Sequence, residues 1–214
     1  MPRIAVINPN SDAAMTRMID RRLDHLRRLD GPELICLTLE QGPPAIETAE
    51  HARQVVAPLC DLVAALDAPD AIVIGCFSDP GLAELRAGAA CPVLGFCEAA
   101  VATAIGLGGR YGILTNLDDD IPDQRAYLAA GRLDDRLAGI RAIGVPVSGL
   151  STCPDVIQRM TAAVERLRTQ GAASVILGCA GFSGYATELG RATGMRIIDP
   201  SIAAAAMAIS ATSL

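Results

Sequence analysis

Short runs of β-branched and aliphatic residues alternate along this chain with longer stretches whose apolar positions recur at helical spacing. This is the pattern of parallel strands joined by crossover helices, so the expected fold class is α/β. Strands are predicted at Arg3 to Asn8, Glu33 to Leu39, Ala71 to Gly75, Pro92 to Phe96, Tyr111 to Thr115, Ile140 to Val147, Ser174 to Gly178 and Met195 to Ile198. Between them lie amphipathic stretches. The one after Ser11 presents Met15, Met18, Ile19, Leu23 and Leu26 on one face. Pro80, Pro122 and Pro154 each suit the first turn of a helix, with Asp79 and Asp120 as caps for the first two. The alanine-rich end from Ile202 to Ala211 reads as a closing helix.

An internal repeat organises these elements. RIAVINPN from Arg3 resembles RYGILTNL from Arg110, and AIVIGCFSDPG from Ala71 resembles SVILGCAGFSG from Ser174. Two halves of about a hundred residues each run strand, helix, strand, helix, strand, with a cysteine at the end. The expected division is 1–104 for the first α/β half and 105–200 for the second, with the last helix, 201–214, packing back on the first. Halves duplicated about a pseudo-twofold axis place the expected ligand cleft between them, because ligands of open parallel sheets bind beyond the carboxyl ends of the strands.

Composition narrows the chemistry. All 18 basic residues are arginine, and the only imidazoles are His25 and His51. Without lysine there is no Schiff base and no Walker-type phosphate lysine; two histidines cannot make a three-histidine metal site or an HExxH motif. No metal and no organic cofactor are expected. A net charge of −6 argues against nucleic acid and anionic membrane as partners. The Arg21, Arg22, Arg27 and Arg28 cluster is interleaved with Asp20, Asp24 and Asp30 and reads as a solvated helix face. GLGGRYG at Gly106 to Gly112 precedes a strand instead of following one, so it is a poor dinucleotide loop. Neither a signal peptide nor a membrane span is read from the sequence, and a cytoplasmic setting is expected. There, seven cysteines without CxxC spacing are not a disulfide framework.

Cys76 and Cys179 share one context: a β-branched strand, a glycine, the cysteine, then a small or polar turn into a helix. Backbone N–H groups of such a turn favour an anion, so each thiol is expected to fall from about 8.5 towards neutrality. Paired thiols suit inversion of a carbon next to a carbonyl, where one removes a proton from one face while the other supplies a proton to the opposite face. The turn amides would hold the enolate charge. For both sulfurs to reach one carbon they should stand about 6 to 7 Å apart.

INPNS at Ile7 to Ser11, GPPAIE at Gly42 to Glu47, GCFSDPGL at Gly75 to Leu82, PVLGFCEAA at Pro92 to Ala100 and ILGCAGF at Ile176 to Phe182 resemble the aspartate/glutamate/hydantoin racemase superfamily. The nearest branch is the hydantoin and allantoin racemases. The resemblance implies a two-half α/β fold, cofactor-independent two-base racemisation, a small-molecule substrate and a homo-oligomer. It implies Cys76 and Cys179 as the bases, and Asn8, Pro9, Asn10, Phe77, Ser78, Thr115, Asn116, Ala180 and Gly181 around the substrate.

Departures from the superfamily pattern matter. Its amino-acid racemases usually follow their cysteines with Asn-Thr and with Thr-His or Thr-Glu, whereas this chain has Phe77-Ser78 and Ala180-Gly181. That suits a neutral or weakly acidic ring better than a zwitterion. Related decarboxylases keep only the second cysteine; maleate isomerases keep both and stay an alternative, as do amino-acid racemisation and a non-catalytic small-molecule binding module. Cys97 stands where the hydantoin branch usually shows glycine.

Overall fold

A computed structural model describes residues 1–213, which divide into Met1–Ala99 with the segment from Ser201, and Ala100–Pro200. In the first unit the chain runs β1 (Arg3–Asn8), α1 (Ala13–Arg22), β2 (Glu33–Thr38), α2 (Ala49–Gln54), α3 (Val56–Ala64), β3 (Ala71–Ile74), α4 (Leu82–Gly88) and β4 (Val93–Gly95). Helix α5 (Phe96–Leu107) carries the chain onward. The second unit holds β5 (Arg110–Thr115), α6 (Ile121–Ala130), β6 (Leu137–Ala142), α7 (Val156–Thr169), β7 (Ala172–Leu177), α8 (Ala186–Thr193) and β8 (Arg196–Ile198), and α9 (Pro200–Ala211) follows. The α/β class read from the pattern is the one observed.

Each unit contains a four-stranded, wholly parallel sheet. The orders are β2-β1-β3-β4 and β6-β5-β7-β8, so the second unit repeats the topology of the first strand for strand. Parallel strands covered on both faces are apolar at every position. Accordingly Ala5, Ile7, Ile72 and Ile74 pack with Val55, Leu59, Leu82 and Leu85 of the helical layer, while Ile4, Val6 and Val73, pointing the other way, are equally buried. In the second unit Leu114, Val175 and Leu177 meet Met160, Val164, Leu167, Phe182 and Leu189. Each of these side chains larger than alanine contributes about 1.5–3 kcal/mol by leaving water.

The predicted elements are all present, with shifted edges. The sixth strand begins at Leu137 and stops at Ala142, earlier than the apolar run to Val147 suggested. Gly144 is left-handed at φ 71°, which turns the chain out of the ladder, and the Gly144 and Val145 N–H groups go to the Asn116 carbonyl. The proline assignments need correction. Pro122 does lie in the first turn of α6, but Pro80 and Pro154 precede their helices, and α4 has Gly81 as its N-cap with no side-chain cap bond. Asp79 does not cap α4. Asp120 does sit at the N-cap of α6, yet its carboxylate accepts from the Leu117 N–H (2.9 Å) and the Thr115 hydroxyl (3.1 Å), bracing the loop after β5.

The arginine-rich stretch is only partly a solvated face. Arg27 bridges Asp20 and Asp24 and donates to the Leu34 carbonyl at 3.1 Å, latching the end of α1 to β2. Arg28 and Asp30 remain at the surface.

Candidate functional site

In a 2-1-3-4 strand order the chain reverses direction of travel between β1 and β3, and between β5 and β7, so loops diverge at those carboxyl ends and leave room for a ligand. Cys76 follows β3 and Cys179 follows β7; both are half-buried. A glycine precedes each for a steric reason. The Gly75 N–H donates to the Ile7 carbonyl at 2.7 Å and the Gly178 N–H to the Leu114 carbonyl at 2.7 Å. A Cβ there would stand 3.0 Å from the Ile7 oxygen and 2.3 Å from the Leu114 oxygen.

Beyond each cysteine the chain makes the same hydrogen bond, although the first turn ends on a left-handed Asp79 and the second continues as a 3-10 helix, Ala180–Tyr185. The Asp79 N–H donates to the Cys76 carbonyl at 3.1 Å, and the Phe182 N–H to the Cys179 carbonyl at 3.0 Å. In the first unit the turn also addresses the sulfur: the Ser78 hydroxyl lies 3.3 Å from Cys76 Sγ, and the backbone N–H groups of Ser78 and Phe77 favour its anion. These bonds pull the thiol down as expected. Burial opposes them, with the Asp79 carboxylate acting the same way, and the net result is a Cys76 thiol pushed up, not towards neutrality. Desolvation of a thiolate outweighs two or three neutral donors.

The structure brings Asn8, Pro9 and Asn10 beside the Cys76 turn, because β1 and β3 are paired in register to Ile7 and Ile74. Their side chains hold the loop itself. Asn8 Nδ2 lies 2.7 Å from Asn10 Oδ1 and 3.1 Å from Thr16 Oγ1, and Asn10 Oδ1 accepts the Asp12 N–H at 3.0 Å. Gly42 lets the Pro9 carbonyl approach, since a Cβ there would lie 2.5 Å from that oxygen. In the second unit Thr115 and Asn116 stand beside the Cys179 turn in the same way. Thr115 Oγ1 accepts from Gln124 Nε2 (2.8 Å) and donates to Asp120, while Asn116 Nδ2 donates to the Val145 carbonyl at 3.0 Å. Phe77, Ala180 and Gly181 are buried, and Ser78 is exposed.

Two carboxylates have partners that the sequence reading missed. Asp79, only 4% exposed, accepts the Cys97 N–H (2.9 Å) and the Glu98 N–H (3.0 Å), and so caps α5 from across the sheet. Gly95 was the available signal, for a Cβ there would fall 2.2 Å from Asp79 Cγ. In the second unit the buried Asp199, just before α9, accepts from the Ser183 hydroxyl at 3.0 Å. Cys97 is buried and its thiol is pushed well up, first by burial and then by Asp79, Glu98 and Cys76. Glu98 pairs with Arg86 at 2.8 Å. Among the described residues no group of three or more His, Cys, Asp and Glu is placed to hold a metal ion, and no helix is long and apolar enough to cross a membrane.

The family model described as Asp/Glu/Hydantoin racemase matches residues 4–208. The chain is similar to a hydantoin racemase of Rhizobium meliloti, 33% identical over 210 residues covering 96% of this chain and 86% of that one. A hydantoin racemase of Paenarthrobacter aurescens is 30% identical over 217 residues, covering 99% and 92%. Among solved structures, an allantoin racemase from Klebsiella pneumoniae superposes with a TM-score of 0.92 at 28% identity, over 100% of this chain and 88% of that chain.

Proposed function

The chain belongs to the Asp/Glu/hydantoin racemase family, and from that premise we propose that it is a cofactor-independent racemase of 5-substituted hydantoins or allantoin-like rings, with Cys76 and Cys179 as its two bases. The observation that carries this reading is the duplicated turn. Each unit ends its third strand in Gly-Cys, backs the glycine onto the neighbouring strand, and closes the chain after the thiol with the same hydrogen bond, from the N–H three residues on to the cysteine carbonyl.

A hydantoin ring carries its α-hydrogen beside a carbonyl, so removal of the proton gives a planar enolate. One cysteine, as thiolate, takes the proton; the other, as thiol, returns one to the opposite face. The Phe77 and Ser78 amides, with those of Ala180 and Gly181, then hold the developing negative charge as an oxyanion hole would. Asn8, Pro9, Asn10, Thr115 and Asn116 shape the surroundings through loops they hold in place themselves. The residues directly following both thiols, Phe77-Ser78 and Ala180-Gly181, are uncharged, which fits a neutral ring better than an amino-acid zwitterion.

Proton exchange at the α-carbon in heavy water tests the proposal. Wild-type protein should introduce deuterium into 5-substituted hydantoins or allantoin while optical rotation decays, and Cys76→Ser or Cys179→Ser should each slow racemisation by about 10²-fold or more. Absence of exchange with all such rings overturns it. We read the setting as cytoplasmic and the assembly as a homo-oligomer; light scattering tests the assembly.

A further inference from the structure

Asp79 is held in a way that a simple helix cap does not require. It adopts φ 45°, left-handed for a residue with a Cβ, and its side chain is buried. Its N–H donates to the Cys76 carbonyl, and its two carboxylate oxygens take the first N–H groups of α5 at 2.9 and 3.0 Å. Gly95 vacates the space its carboxylate fills. One residue thus joins the turn that bears the thiol to the helix after the adjacent strand.

The charges around Cys76 make this junction chemically consequential. From its own turn comes Asp79; from α5 come Cys97 and Glu98. Cys97 stays neutral, because burial and the neighbouring acids push its thiol well up. Glu98 is paired with Arg86, whose guanidinium also donates to the Val93 carbonyl at 3.0 Å. Of these groups Asp79 is the one whose charge acts directly on Cys76, and it acts with burial against the turn's donors.

We propose that Asp79 is a positioning residue for Cys76: it ties the thiol-bearing turn to α5 and sets a buried carboxylate three residues from the thiol, so that Cys76 begins as the proton donor. The inference rests on the two-base reading above and assigns the starting roles within it.

The test follows the rate of Cys76 alkylation by iodoacetamide against pH, read by peptide mass spectrometry, in wild type, Asp79→Asn and Asp79→Ser. In wild type the half-point for Cys76 should lie above the free-thiol value of about 8.5. Both neutral variants should move it down, so that Cys76 reacts several-fold faster near neutral pH (about 3-fold or more), while Cys153 keeps its own rate. The Ser variant preserves a cap hydroxyl without charge, and Cys97, buried in the fold, remains unlabelled as long as the variant is folded. A wild-type half-point below the free-thiol value overturns the proposal without any variant; an unmoved profile in a folded variant overturns it as well. Failure of the racemase reading is seen separately, as absent deuterium exchange in wild type, and leaves the alkylation profile untouched.

Discussion

The two units share strand order, the Gly-Cys ending of the third strand and the hydrogen bond that closes the chain after it, yet each places its buried carboxylate at the opposite end of the same junction. In the first, Asp79 sits in the cysteine turn and reaches to the helix after the fourth strand. In the second, Asp199 sits before that helix and the turn contributes a hydroxyl, Ser183. Both arrangements fasten a thiol-bearing turn to a helix start. Only the first has the anion within its cysteine turn, three residues beyond the thiol. Duplication therefore preserved the backbone requirement, which sterics enforce, while the electrostatics of the two turns diverged.

The glycine before each cysteine gives the sharpest way to test how alike the units are. An added methyl at Gly178 meets the Leu114 carbonyl oxygen at 2.3 Å and Ile113 Cγ2 at 2.9 Å, whereas at Gly75 the nearest atom, the Ile7 oxygen, is 3.0 Å away. Backbone on a central strand cannot yield as a side-chain tip can. Gly178→Ala is expected to lower stability by about 3 kcal/mol and Gly75→Ala by about 1 kcal/mol, read from urea midpoints. Equal losses would show that the second junction relaxes and that the close approach is not a constraint.

These junctions also mark where sequence reading succeeds and where it stops. Fully buried parallel strands announce themselves as apolar runs, so each strand was legible, and the repeat made Cys76 and Cys179 stand out from five other cysteines. The edge of β6 was not, because Ile143 and Val145 continue the apolar pattern past a left-handed glycine. Asp79 reads locally as a cap for the next helix, but its partners are 18 and 19 residues away, on an element reached only through sheet pairing. The resemblance put Asn8, Asn10, Thr115 and Asn116 around the substrate; that their amides and hydroxyls are engaged by neighbouring protein groups at the ends of β1 and β5 depends on tertiary contacts that spacing does not encode.

A second contrast lies on the outer strands. Cys36 of β2 pairs with Val6, and Ile140 of β6 pairs with Ile113, the residue matching Val6 in the repeat. Ile140 is wholly buried, whereas the Cys36 thiol sits beside Asp20 and Arg27 and is pushed up to about 12, first by burial and then by Asp20. The sign follows directly. A thiol that ionises at a higher pH folded than unfolded contributes stability that is intact below the unfolded value, near 8.5, and declines as pH rises towards 12. With partial exposure taken into account, the loss by pH 10 should be about 1 kcal/mol. Cys36→Val should reduce the alkaline slope by about that amount and leave the part that the raised Cys76 and Cys97 thiols contribute, measured by denaturant midpoints from pH 8 to 10; an unchanged slope would show that Cys36 does not contribute.

The smallest difference is a single oxygen. Ala71 pairs with Ile4 in β3 and Ser174 with Tyr111 in β7, matching positions of the repeat, and both residues are buried to within 1%. Among the described residues the Ser174 hydroxyl has no hydrogen-bond partner. A buried hydroxyl left unsatisfied loses its water without recompense, so deleting it removes a cost and leaves a space smaller than a methyl group. Ser174→Ala, which gives the second unit the residue the first already has, should therefore leave stability unchanged or raise it by about 0.5 kcal/mol in the same midpoint measurement. A clear loss would mean that the hydroxyl bonds to a buried water, and that the second unit uses this position for something the first does not need.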